Sequence, residues 1–372
     1  MNICIDIQAA IGQQAGVGRY THCLVEELAR HHGGHELRLF YFDFKRKGFP
    51  FNPGTAEKRA IRWCPGRIVQ KAWKTLGFPP FDWLAGRADI YHFPNFVRPP
   101  LTRGKSVVTI HDVSFLRHPE TTESKNLRYL DKQIHKTVEK ADAIITDSRF
   151  SKKEIEELLS VPEEKVFAVH LGLDQSKTPP DEQAIASAKK HHGLQRPYIL
   201  AVGTLEPRKN YPFLIDVFEG LHDFDGDLVI AGMRGWKYEP IYSRAQDSSC
   251  SPRIHLLDFV AEEHLAGLYA GAELLVCPSI YEGFGFTPLE AMAYGTAVVS
   301  SAGGSLPEVV GDAAVVLEGF EKDEWVGEIE RVLGDEQLKK KLKDKGRKHV
   351  GQYTWAKTAA ETLAVYEKVC GG

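Results

Sequence analysis

Two successive trains of short apolar runs, each run separated from the next by an amphipathic helical stretch, constrain this chain more than any other feature. In the first half, runs at 2–7 (NICIDI), 37–42 (LRLFYF), 89–93 (DIYHF), 106–110 (SVVTI) and 143–146 (AIIT) read as strands, with helical periodicity at 18–31, 124–139 and 151–159. In the second half, strands are expected at 198–202, 227–231, 253–256, 274–277 and 297–300, with helices that include 210–221, 261–270 and 288–294. Parallel strands need long crossover connections, and the alternation supplies them. The expectation is therefore an α/β protein with two parallel sheets. At 372 residues the chain exceeds what one hydrophobic core ordinarily supports, which also favours two domains. The join is expected in 174–196, a polar stretch containing Pro179-Pro180 ahead of the fresh strand at Tyr198. A last amphipathic pattern at 355–369 could pack on either domain.

Composition removes several function classes. No run approaches the roughly 20 apolar residues of a membrane-spanning helix, and the amino terminus shows no basic region followed by an apolar core, so a cytoplasmic protein is expected. The six cysteines lack metal-ligand or disulfide spacing, and Cys4 and Cys277 lie in apolar runs as core residues. A net charge of −3 argues against a dedicated nucleic-acid binder. Locally the balance differs. Between Lys45 and Lys105 thirteen Lys or Arg stand against three acids, interleaved with Trp63, Trp73 and Trp83. Such a segment suits an anionic membrane surface, or equally an ordinary solvated face with core tryptophans.

Open parallel sheets bind ligands beyond the carboxyl ends of their strands, so the residues just after strands carry the functional expectation. After the first strand, Gly16-Val17-Gly18 opens a helix whose free amides could hold an anion, or makes a plain tight turn. It is no dinucleotide fingerprint, because the third glycine would fall at Thr21. After 106–110 comes His111, able to donate to a substrate hydroxyl or phosphate, to accept a proton, or simply to bond backbone. After 198–202 comes GTLEPRKN, opened by Gly203. Its Arg208 and Lys209 sit where a helix dipole disfavours cations unless an anion offsets them, which reads as a phosphate or pyrophosphate clamp.

The stretch after 274–277, SIYEGFGFTPLEAMAYG, combines Glu282, the run Gly283-Phe284-Gly285-Phe286, and Thr287-Pro288-Leu289-Glu290. The last four residues have capping-box spacing, which accounts for Glu290 structurally. The glycines let backbone amides approach a phosphate, and both carboxylates could accept from sugar hydroxyls. No capping role accounts for Glu282. Ser305 to Glu308 repeats the capping-box spacing. Asp223, Asp225 and Asp227 resemble a metal-binding spacing, but they fall at the amino end of a strand, the wrong side of the sheet for the ligand, and read as a polar turn.

Taken together, GVGRYT, IHDVSFLRHPE, ADAIITDSRFSKKEI, GTLEPRKN, the stretch from LDFVAEEHLAGLYAGAELLVCPS through YEGFGFTPLEAMAYGTAVVSS, and SLPEVVGDAA resemble, in order and spacing, the retaining glycosyltransferases of family 4. The resemblance covers nearly the whole chain. It implies the GT-B fold, two facing Rossmann-like domains with an interdomain cleft. The first domain, 1–174, would bind the acceptor and the second, 175–354, the nucleotide sugar, with a C-terminal crossover helix in 355–372 packing back on the first.

It also implies roles. Glu282 would lie against the donor sugar, Glu290 accept from the ribose, and Arg208 and Lys209 neutralise the diphosphate. His111 would bond the donor sugar, Gly16 and Gly18 line the phosphate and acceptor loop, and Val260 line the base pocket. Thr287 stands where the family commonly has leucine. The donor most similar members use is GDP-mannose, in O-antigen and exopolysaccharide assembly, with UDP-sugars open and a lipid-linked saccharide among the acceptors. Retention would proceed by same-face substitution, with no metal and no cofactor. An epimerase and a non-catalytic nucleotide-sugar binder are the alternatives, the first lacking the paired glutamates with Arg-Lys, the second having no need of Glu282.

Overall fold

A computed structural model describes residues 1–12, 16–31, 33–49, 54–174 and 179–371, with backbone alone at 124–126. Residues 13–15 before Gly16, 50–53 of the basic segment and 175–178 of the expected join therefore lie outside the described residues. The chain divides into two compact units: 1–116, 125–172 and 353–372 form one, and 117–124 with 173–352 form the other.

In the first unit the strands β1 (Asn2–Asp6), β2 (Glu36–Phe42), β3 (Glu57–Ile61), β4 (Ile90–Phe93), β5 (Lys105–Thr109), β6 (Ala143–Thr146) and β7 (Val166–Ala168) form one parallel sheet in the order β3-β2-β1-β4-β5-β6-β7. The inner strands are buried on both faces, which is why they read as nearly continuous apolar runs. Phe81 anchors one side of the core, with ring centroids 4.5 Å from Phe40 and 4.9 Å from Phe93. The final helix, Trp355–Gly371, belongs to this unit. Its Tyr366 hydroxyl bonds the buried His92 Nδ1 at 2.6 Å, and its Thr358 donates to the His170 carbonyl at 2.7 Å. Gly172 lies so close that a Cβ there would run into the backbone of Thr354 and Trp355.

The second unit holds β8 (Tyr198–Val202), β9 (Asp227–Ala231), β10 (Ile254–Leu257), β11 (Leu274–Cys277), β12 (Val298–Ser301) and β13 (Val315–Leu317), parallel in the order β10-β9-β8-β11-β12-β13. Three strands were not expected from the sequence: β3, β7 and β13. All are edge strands, paired on one side only, and need no long apolar run. One expectation is corrected at the unit boundary. Residues 117–124, expected in the first domain, join the second unit because Trp236 donates to the Thr121 carbonyl at 2.6 Å and Lys237 to that of Glu120 at 2.7 Å.

The topology decides where chemistry can collect. In each sheet the strand order reverses once, between β1 and β4 and between β8 and β11. The connections after these neighbours leave in opposite directions, so a crevice opens at their carboxyl ends.

Candidate active site

At the β8/β11 reversal, the turn after β8 (Pro207–Lys209) and the loop after β11 bring together a four-membered charged cluster. Arg208 donates from Nη1 to Glu282 Oε2 at 2.7 Å and to the Tyr281 carbonyl at 2.6 Å, and from Nη2 to Glu206 Oε1 at 2.7 Å. Lys209 Nζ donates to Glu282 Oε1 at 2.6 Å, and Ser279 Oγ donates to the same oxygen at 2.6 Å. Gly203 makes room for this arrangement. It sits at φ +145°, and a Cβ there would press on Lys209 Cε at 3.0 Å and the Tyr211 hydroxyl at 3.1 Å. Glu206 and Glu282 are buried, with 3% and 7% exposure.

The electrostatics of Glu282 are a contest. Burial pushes its carboxyl up, but Arg208 and Lys209, with the bonds from Lys209 and Ser279, outweigh it and hold the value down at about 2. Glu282 is thus an anion at any physiological pH. No capping role accounted for Glu282 in the sequence, but the structure gives it one of another kind: it is the buried counterion of both cations. Glu206, not singled out in the sequence, is the second counterion of Arg208, so two cations meet two carboxylates and the cluster is electrically balanced.

The loop carrying Glu282 is held by its neighbours. Its amide donates to the Gly303 carbonyl at 3.3 Å, and Ser305 returns an amide bond at 2.9 Å and a hydroxyl bond at 3.0 Å to the Glu282 carbonyl. Gly304 (φ +68°) packs so tightly that a Cβ would strike the Glu282 backbone. Of the two expected capping boxes, the first is corrected, while Ser305 starts its helix as expected without a side-chain cap. The helix after the glycines begins at Phe286, not after Thr287, and its N-cap is Gly285 at φ +102° with no side-chain cap. Thr287 instead turns its hydroxyl toward the Val202 carbonyl at 3.4 Å, and Glu290, now in mid-helix, accepts from Tyr269 at 3.0 Å. Ser305 is N-cap of Leu306–Val310, but its hydroxyl is given to the Glu282 and Phe284 carbonyls. Phe284 is buried and meets Phe286 edge-on at 5.3 Å.

The remaining expected residues have other surroundings within their own units. Val260 is half-buried in the segment after β10, beside an Asp258 that pairs with Arg234 at 3.1 Å. In the first unit, Gly16 (φ +55°) immediately precedes the helix Val17–Arg30, and Gly18 is buried in its first turn. Two residues on, Tyr20 meets the His111 ring edge-on at 4.9 Å. His111 Nδ1 bonds Asp147 Oδ2 at 2.8 Å and Nε2 bonds the Pro94 carbonyl at 3.1 Å. The Pro94 carbonyl accepts from Nε2, and Asp147 shares a proton with Nδ1 across the other bond. Burial lowers its proton affinity, yet the Asp147 carboxylate outweighs burial and raises it. Sequence reading missed Asp147. Its signal was present, since it closes the loop after a strand adjacent to that of His111.

The aspartates at 223–227 behave as a turn: Asp225 pairs with Arg196 at 2.7 Å and Asp227 with His255 at 3.2 Å, at the amino end of β9. In the basic segment, Trp73 is half-buried and donates to the Pro79 carbonyl at 2.7 Å, whereas Trp63 and Trp83 are 69% and 62% exposed. Ile68 and Leu76 on the helix Gly66–Leu76 are likewise exposed, alongside Arg67 and Lys71.

Comparison with known proteins gives a consistent picture. The family described as "Glycosyltransferase Family 4" matches residues 15–177, and "Glycosyl transferases group 1" matches 182–349. The chain is 30% identical over 95% of its length to O-antigen chain mannosyltransferase B of Escherichia coli, 96% of which is covered. Among solved structures it is similar to the sucrose-phosphate synthase of Thermosynechococcus elongatus, at a TM-score of 0.78 and 19% identity over 100% of this chain and 99% of that one. It is also similar to HepE of Anabaena in complex with UDP-glucose, at a TM-score of 0.71 and 18% identity over 98% and 100% of the two chains. At those identities the two structures speak for the GT-B fold alone.

Proposed function

The chain belongs to the family 4, group 1 glycosyltransferases, and from that premise we propose that it moves mannose from GDP-mannose to a saccharide or lipid-linked saccharide acceptor, with retention of configuration. The mannosyl donor is supported by the whole-length similarity to the O-antigen mannosyltransferase. The observation that carries the site assignment is the meeting of Arg208 and Lys209 with Glu282 at the β8/β11 reversal, where an open sheet receives its ligand.

Because the cluster is balanced without ligand, a diphosphate adds charge that must be met. Arg208 and Lys209 would turn part of their bonding from Glu282 to the diphosphate, with the amides at the start of the helix Phe286–Ala293 completing the seat. Stabilising the departing diphosphate in this way commonly contributes several kcal/mol to such a reaction, about 3–4 per donor group. Glu282, released from one cation and held anionic, would face the sugar at its reacting carbon. Retention in a glycosidase needs a nucleophilic carboxylate beside a second carboxyl acid. Here both carboxylates of the cluster are bound to cations, which favours same-face substitution in which the leaving diphosphate takes the acceptor proton. Glu290 would accept from the ribose, and a sugar hydroxyl would replace the Pro94 carbonyl on His111.

A thermal-shift panel of GDP, UDP and ADP and their sugars tests the donor, since a ligand of the native state raises apparent stability. Stabilisation by GDP-mannose with transfer to acceptor is expected; stabilisation by UDP-sugars alone would reassign the donor, and an epimer formed from donor without acceptor would reassign the reaction. Metal independence belongs to the same proposal. Turnover below the melting temperature should survive EDTA, and restoration of lost turnover by Mg²⁺ or Mn²⁺ would refute it. The exposed Trp63, Ile68, Leu76 and Trp83 with Arg67 and Lys71 favour contact with an anionic membrane surface, where a lipid-linked acceptor would be met. Flotation with anionic liposomes, but not with neutral ones, is the expected result.

A further inference from the structure

Outside the charged cluster, three imidazoles converge between two helices of the second unit. His191 ends the helix Glu182–His191, His192 caps it, and His264 lies in the first turn of the helix Glu262–Gly271. The two helices approach closely because the second presents glycines. A Cβ on Gly267 would come 2.7 Å from Ala188 Cβ, and one on Gly271 would come 2.9 Å from Ile185 Cγ2. Contacts that run 264, 267, 271 along one helix run 191, 188, 185 along the other, so the helices have opposite polarity and the histidines face each other.

The three rings lie close together. His191 and His264 have centroids 4.2 Å apart, His191 and His192 4.8 Å, and His192 and His264 5.7 Å. One nitrogen from each ring lies within 4.8 Å of the others. His192 Nε2 is buried with no hydrogen-bond partner among the described residues. Three nitrogens around a tetrahedral ion at about 2.0–2.1 Å stand roughly 3.3 Å apart, a gap that small χ rotations would close.

We propose that His191, His192 and His264 bind one divalent transition-metal ion of the zinc class, clipping the helix Glu182–His191 to the helix Glu262–Gly271. Imidazole nitrogen suits zinc, copper and nickel rather than magnesium or calcium. His191 is exposed, so a water completes the coordination. The carboxyl end of the helix Glu182–His191 favours a cation, and Glu262 and Glu263 in the first turn of the opposing helix offset the positive amino end that helix presents. The clip is structural: it raises the stability of the second unit and takes no part in sugar transfer.

The test uses tag-free, full-length protein titrated with Co²⁺ and followed by visible absorption, with Zn²⁺ added as competitor. One Co²⁺ per chain, intense bands of a four-coordinate ion, displacement by Zn²⁺ and a raised melting temperature are expected. His191→Ala, at an exposed position that cannot unfold the chain, should weaken binding more than about ten-fold and leave the transfer rate below the melting temperature unchanged. His264→Gln should weaken it likewise. Absence of stoichiometric binding, or Co²⁺ spectra and affinity unchanged in either variant, overturns the site.

Discussion

At the residue scale, Glu282 carries two assignments at once, and its substitution must separate them. Glu282→Gln keeps the shape but removes the charge that Arg208 and Lys209 share. Transfer should fall by at least about a hundred-fold, while breaking the buried pair costs roughly 3 kcal/mol of stability. Circular dichroism and a denaturant melt report the second effect, and product formation in folded protein reports the first. Transfer at the wild-type rate would sink the proposed role. The pH dependence follows from the same contacts. Glu282 is held at about 2 against an ordinary 4.5, so its stabilisation is complete above about 4.5 and is lost as pH falls toward 2. The difference in stability between wild type and Glu282→Gln should therefore shrink across that window, by roughly 3 kcal/mol in total. Arg208→Lys is not conservative, because one ammonium cannot serve Glu206, Glu282 and the Tyr281 carbonyl in their fork geometry. Donor KM should rise about ten- to a hundred-fold, and an unchanged KM would remove Arg208 from the donor seat.

At the element scale, the site depends on how tightly two loops pass each other. Gly304→Ala adds a Cβ where the Glu282 backbone already stands, at a φ that L-residues avoid. The loop 279–286 must shift, so activity should fall with KM for the donor rising, and stability should drop by about 2 kcal/mol or more. An alanine variant as active and as stable as wild type would mean that this packing does not position Glu282. The helix Phe286–Ala293 illustrates why a capping motif misleads. Gly285 reaches φ +102° and lets the helix begin before Thr287, so the predicted N-cap threonine lies inside it. Capping-box spacing can be read from sequence, but the turn at Gly285 packs against Leu306, with the Ser305 hydroxyl on the Phe284 carbonyl, and these contacts are tertiary.

At the scale of the whole molecule, the final helix is part of the first unit although it is last in sequence. Tyr366 meets His92, which bonds Thr109 at 2.8 Å, which in turn meets Tyr20 at 3.0 Å. Burial keeps His92 neutral, with its value lowered to about 3. Tyr366→Phe would leave a buried imidazole nitrogen unpaired and should cost about 1–3 kcal/mol, read as a lower melting temperature. An unaltered melt would show that the final helix is held by apolar packing alone. Donor binding is proposed to engage Arg208, Lys209 and Glu282, so hydrogen exchange with donor present should slow in 198–210 and 274–305.

Much of this was legible in sequence because it is governed by local rules. The inner strands declare themselves as continuous apolar runs, since they are buried on both faces. Arg208, Lys209 and Glu282 stood out because charge and glycine just beyond such runs break the local pattern. The edge strands β3, β7 and β13 did not stand out, having one partner each and little to bury. Nor could any spacing reveal that Glu282 and Glu206 share Arg208, that Asp147 holds His111, or that His264 meets His191. These partners are separated by two to seventy-four residues along the chain. Sequence determined the two parallel sheets and the residues at their carboxyl ends. Only tertiary structure decided which charges meet, because sheet order and close backbone approach, not position along the chain, bring buried groups within hydrogen-bond reach.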